Sequence, residues 1–247
     1  MSAIWNVQDI RGGRDEPGRT FCISEVHCTR LDLREITMAQ IRFRFTPEKL
    51  VQALAFFADR GIADLDRMKA AKLLFHADKY HLLSYGRPVI GDQYACMEYG
   101  PVPSASLNVM NDFIANDPHF PPVAAELFAE YLRVEKPMFR KYPVFRSRKQ
   151  PDLDVFSDSD IEALEYSQRT YGAKTAWELS EGSHLEPSWK LANEQRPPGS
   201  SVIMDYRLFF EGHPEAMDML RFVEAQQEDR DASEELATHR TFAGRAG

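Results

Sequence analysis

The sequence predicts a mainly α (α+β) fold: a compact helical domain with a short β-hairpin or small antiparallel sheet. Three observations carry this. Apolar residues recur at three- and four-residue steps through several stretches that Gly or Pro closes. Only one region, around residues 93–99, gathers β-formers beside a turn signal. The 247 residues are 43% hydrophobic and 28% charged, the make-up of a globular chain that buries roughly 70% of its unfolded surface without staples.

Residues 1–44 show no sustained period, and Gly12, Gly13, Pro17 and Gly18 interrupt any helix. They read as a disordered extension or, because Met38 opens a run typical of a natural start, as a mis-assigned one. Cys22 and Cys28 flank His27 there, but a four-ligand zinc site has no second half, so they read as unstructured thiols. The domain proper is expected over 45–227. Thr46 is a suitable N-cap, Pro47 suits the first helical position and Glu48 the positive end of the dipole. Leu50, Val51, Leu54, Phe57 and Ala58 continue that helix to Gly61. A longer helix is predicted from Leu65 to Tyr85, stopped by Gly86; its apolar arc is wide enough to bury most of it.

A strand or extended pair is expected over Gln93–Tyr99. Gly100-Pro101-Val102-Pro103 is read as a shaped loop, because prolines interrupt a ladder. Ser104 is expected to cap a helix to Asn116, and a short helix spans Val123–Leu132. Residues 138–149 are expected to form a β-hairpin arm with 152–156. Ser157-x-x-Asp160 resembles a capping box ahead of Ile161, Leu164 and Tyr171. A short helix over Ala173–Ser180 and a last one from Pro214 to Gln227 follow, and 228–247 is a polar tail.

The function classes narrow from charge and motif. The net charge is −8, so non-specific nucleic-acid binding would require concentrated cations. The one basic cluster, Arg140, Lys141, Arg146, Arg148 and Lys149, runs straight into Asp152 and Asp154, and no nucleic-acid partner is expected. An acidic chain more naturally meets a basic partner. No apolar run reaches the ~20 residues that span a bilayer, so no membrane partner is expected. Three cysteines give no disulfide framework and suit a reducing, cytoplasmic setting. No Gly-rich phosphate cradle is present, and no cofactor is expected.

Asp78 and His81 are three apart on the long helix and share a face, within hydrogen-bonding reach of each other. With Cys96 or Ser104 they would form the outline of a hydrolase. No nucleophile elbow accompanies them, so a core hydrogen bond tying helix to loop is the stronger reading. Lys72, Asp78 and His81 are taken as structural polar residues and no catalytic residue is assigned. His76 and His81 do not share a helix face, and His184 with Glu186 reads as a capping pair, so no metal site is expected. Trp177 and Trp189 read as core closures.

The stretches Lys72-Leu73-Leu74-Phe75-His76-Ala77-Asp78, Gly86-Arg87-Pro88-Val89, Met97-Glu98-Tyr99-Gly100-Pro101-Val102-Pro103-Ser104, then Pro151 to Ser157 and Ser183-His184-x-x-Pro187-x-Trp189 resemble the Panacea domain of SocA-like antitoxins, also met as phage-associated proteins. The resemblance covers about residues 48–195. It implies a non-enzymatic antitoxin, in phage defence or a related toxin–antitoxin system, that neutralises a cognate toxin by direct binding. An adaptor delivering a toxin or client to a ClpXP-type protease is the alternative it implies. Phe75 replaces a frequent Tyr, and Ser104-Ala105-Ser106-Leu107 lacks a Tyr common after Gly-Pro-Val. The partner-binding residues are expected to be Tyr99, Gly100, Pro101, Val102 and Pro103, since a loop so constrained loses little entropy on docking and Tyr99 beside it suits a hot spot.

Overall fold

A computed structural model describes residues 40–243, with side chains as far as residue 233. The readings made for residues 1–39, including Cys22, His27 and Cys28, lie outside the described residues. The first helix, α1 (Pro47–Asp59), starts with Pro47 in its first turn as predicted. The second, α2 (Arg67–Tyr85), is capped by Asp66, whose carboxylate accepts from the Lys69 N–H, and stops at Gly86 in the left-handed conformation.

Most of α2 is buried on every side, and it separates two apolar clusters. Leu73, Leu74 and Ala77 face the first, with α1, the helix α3 (Ser104–Ala115), α4 (Pro122–Tyr131) and α5 (Asp158–Tyr171). Phe75 and Leu82 face the second, where Tyr94, Met204, Tyr206, Phe209 and Phe210 meet Leu220 and Val223 of the last helix. A helix apolar on two opposite faces must lie between two layers, which is where α2 lies. Ser167 of α5 adds a buried bond to the Leu73 carbonyl at 2.7 Å.

Two small antiparallel sheets complete the mainly helical fold. β1 (Tyr94–Met97) is the centre of a three-stranded sheet, with β2 (Gly100–Pro103) on one side and β5 (Val202–Ile203) on the other. The segment Gly100–Pro103 is therefore a strand, not the loop expected from its prolines. Cys96 faces Pro101 and Tyr94 faces Pro103, while the next pair along joins the Ser104 N–H to the Gln93 carbonyl at 2.9 Å. In an antiparallel ladder only alternate residues donate to a given neighbour. Val102 and Ser104 hold the donating register, so Pro101 and Pro103 fall where no N–H is needed, on an edge strand that tolerates them.

The arm is shifted from its expected place: β3 (Leu132–Glu135) pairs with β4 (Val144–Ser147), and residues 152–156 contribute only a short 3₁₀ turn, Leu153–Val155. The apolar alternation of 138–149 belongs to one strand and its turn. Ser104 does not cap α3; Asp92 does, its buried carboxylate accepting from the Ala105 and Ser106 N–H groups at 3.0 and 2.6 Å. The Ser157–Asp160 capping box forms as predicted. Beyond it come α6 (Ala176–Ser183), which begins later than expected under a Thr175–Glu178 box, and α7 (Pro187–Glu194), for which no helix is expected. The last helix, α8 (Ala216–Ala243), continues well past Gln227.

Residues 40–44, expected in the leading extension, pack on this fold. Ile41 is buried in the second cluster, the Arg42 N–H donates to Gln227 at 2.7 Å, and Phe43 stands edge-on to Tyr206. A chain beginning at Thr46 loses the Ile41 burial, worth about 1.5–3 kcal/mol. It is expected to melt roughly 5 °C below one beginning at Met38, by calorimetry; equal melting temperatures would show that this segment adds nothing.

Candidate functional site

The turn between β1 and β2 is held by side chains from four places in the chain. The Met97 carbonyl accepts from the Trp189 indole N–H at 3.1 Å, and the Glu98 carbonyl lies 3.0 Å from His184 Nε2. The Tyr99 carbonyl accepts from Ser180 Oγ at 3.0 Å, and the Pro101 carbonyl from Lys72 Nζ at 3.0 Å. Local sequence explains the donors: the Thr175–Glu178 box starts α6 so that Ser180 and His184 sit one turn apart, and Pro187 starts α7 two residues before Trp189. His184 latches the turn from the C-cap position of α6, and Glu186 stands at the N-cap position of α7 with its carboxylate on Lys79.

Gly100 carries this arrangement. Its φ is +94°, and a Cβ there would lie 2.0 Å from Ser183 Oγ and 2.4 Å from Lys72 Nζ. Lys72 is buried with the Pro101 carbonyl as its partner, and desolvation lowers its pKa to about 7. Of the five residues predicted to contact a partner, Gly100, Pro101 and Pro103 are buried, Val102 is half-buried and Tyr99 is 51% exposed. The Tyr99 ring lies 6.3 Å from that of Trp177, which is 60% exposed. Trp177 is therefore no core closure. Nothing in its local pattern marks it as exposed, because the face of an eight-residue helix that meets solvent is set by what packs behind it.

The polar residues of α2 take separate partners. Asp78 accepts from the Ile90 N–H at 2.8 Å and the Tyr94 hydroxyl at 2.9 Å, and burial pushes its carboxyl up to about 7. His81 instead sets Nδ1 2.5 Å from the Arg87 carbonyl and Nε2 2.9 Å from Ser159 Oγ and 3.2 Å from Asp160. Asp160 also binds Lys49 at 2.7 Å and Arg87 at 2.9 Å, which hold its carboxyl below its ordinary value against the cost of burial. Asp78 and His81 do not bond each other, because each side chain ties α2 to a different stretch of the 86–93 segment. Cys96 donates to the Trp189 carbonyl at 3.8 Å, and burial raises its thiol pKa. None of these bonds joins Asp78, His81 or Cys96 to another of the three.

His76 stacks on Tyr171 at 3.7 Å, and burial lowers its pKa to about 3. Among the described residues no group of three His, Cys, Asp or Glu side chains is placed to hold a metal ion, and no helix is long and apolar enough to cross a membrane. Of the basic cluster, Arg146 pairs with Glu135 and Lys149 with Glu130.

The architecture is that of a helical domain displaying an immobilised hairpin turn beside an exposed aromatic pair. Residues 71–190, from near the start of α2 to the middle of α7, match the family model of the antitoxin SocA-like Panacea domain. The match supports an antitoxin-type role and a toxin as the kind of partner. No curated protein matches the chain, and no solved structure does.

Two outcomes follow. Gly100→Ala should cost about 2 kcal/mol or more, from the left-handed backbone and the displaced Lys72 and Ser183, in denaturant unfolding. Gly199→Ala, at φ +73° with nothing within 4 Å, should cost only the backbone part, about 1–2 kcal/mol; equal losses would remove the steric argument. For Asp78, the folded state keeps a proton that the unfolded chain releases, so its contribution to stability is full at low pH and is lost as pH rises towards 7. Asp78→Asn abolishes that loss. Its stability relative to the parent should rise by up to about 1.4 kcal/mol per pH unit between pH 4 and 7; a pH-independent difference would contradict the buried proton.

Proposed function

We propose that the chain neutralises a small toxin protein by direct binding, with the Tyr99–Pro103 turn at the centre of the contact. The observation that carries this is the exposure of Tyr99 and Trp177 beside a turn whose carbonyls are already bonded inside the protein. A large aromatic held at the surface by a rigid backbone loses little freedom on docking. Tyr99, Val102 and Trp177 supply the surface, whereas Gly100, Pro101 and Pro103 supply its shape. The Panacea match is consistent with such a role, since it implies a toxin without implying chemistry.

The test is co-expression with the product of the adjacent reading frame, scored by growth and by affinity of the purified pair. Tyr99→Ala should weaken the complex by about 2 kcal/mol or more. Its melting temperature should stay near that of the parent, because half of the side chain is already in solvent. Full rescue with unchanged affinity would place the binding face elsewhere. The β3–β4 arm, whose Phe139 is 95% exposed, would then be the next surface to test.

A further inference from the structure

Beside the hairpin turn lies a groove of about 390 Å³ between α2, α3 and the β1–β2 turn. Its apolar wall comes from Met68, Met97, Tyr99, Val102 and Leu107. Three cations line it as well: Arg67 at one side, Arg196 at another and the buried Lys72. Glu98 is the one acidic residue in the lining. On a chain of net charge −8 this is a local reversal.

Of the two arginines, Arg67 is the less engaged in the fold. It is exposed and donates to the Asn111 side chain at 2.6 Å, and its guanidinium lies 5.9 Å from the Tyr142 ring centre. Arg196 bonds Asn193 and the Ser200 carbonyl, so it also shapes the 197–200 turn. Lys72 has a backbone carbonyl for its partner. Apolar walls between fixed cations fit side chains better than a phosphate backbone, which would need a continuous basic track.

We propose that this groove holds a segment of the partner protein in which acidic side chains alternate with apolar ones. The inference rests on the binding role given above and adds the chemistry of the occupant. It reverses the simple expectation from net charge that the contacting segment is basic. The carboxylates would lie towards Arg67 and Arg196, and the apolar side chains against Met68, Leu107 and Val102. Desolvation holds the Lys72 pKa near 7, and a carboxylate above it would favour its charged form.

The full-length chain is titrated with the adjacent-frame product in three variants, each checked by melting temperature. Arg67→Glu should weaken binding about tenfold or more, and Glu98→Lys should tighten it a few-fold, with both effects shrinking at high salt. Tyr99→Ala should weaken it independently of salt. Tighter binding with Arg67→Glu and weaker binding with Glu98→Lys would mean a basic segment and overturn the proposal. No effect of either, with Tyr99→Ala still damaging, would overturn the acidic occupant and leave the binding face intact. If Tyr99→Ala is also silent, or the parent chain does not bind at all, both readings fall. Sedimentation of the chain alone is run alongside. Self-association that Arg67→Glu abolishes would assign the groove to a second copy instead.

Discussion

The structure depends most on the satisfaction of one hairpin turn by side chains that come from far along the chain. A tight turn leaves its carbonyls pointing away from both strands, and each one buried without a donor costs about 1–3 kcal/mol. Here Lys72, Ser180, His184 and Trp189 close on the carbonyls of residues 97, 98, 99 and 101. Those bonds fix α6 and α7 against the sheet and set the height of α2 beneath it. The position of Gly100 follows, since any side chain would occupy the space that Lys72 and Ser183 already fill. The turn is rigid because of its environment and not only because of its prolines.

A second polar system anchors the other end of the same hairpin. Asp78 receives the Ile90 N–H and the Tyr94 hydroxyl, while Asp92 caps α3 and the Tyr206 hydroxyl donates to the Asp92 carbonyl. The segment between α2 and β1 is thereby bonded to α2, to α3 and, through Tyr206, to the second cluster. Asp160, with Lys49, Arg87 and His81, does the same for α5 and the start of α1. Buried charges of this kind contribute little net stability, but removing one partner leaves the other unpaired. Their effect is to permit a single arrangement of α1, α2 and α5.

This division of labour suits a binding module. The polar residues of α2 are occupied in holding backbone, and the groups that would make a nucleophile and base are parted by that work. On the outside of the turn Tyr99 and Trp177 stand beside a cation-lined groove, the surface a partner would meet under the binding role proposed above. A surface of fixed shape can serve as recognition element without a conformational change.

The sequence by itself determined the earlier helices and much of the site's composition. Caps at Asp160 and Ser157, the stop at Gly86 and the apolar spacing of α1 and α2 are local, so periodicity and capping chemistry expose them. The order of the K-L-L-F, Y-G-P-V and S-H-x-x-P-x-W motifs was legible too. Tertiary structure alone decided which groups meet. Lys72 reaches its carbonyl across 29 residues, Ser180 across 81, His184 across 86 and Trp189 across 92. Bonds at such separations leave no period in the chain. The same holds for Asp92 replacing Ser104 as the cap, for Asp78 and His81 turning to different partners, and for Trp177 facing water. Each depends on which donor a neighbouring element brings within 3 Å, a property of the packed chain that spacing along the sequence does not carry.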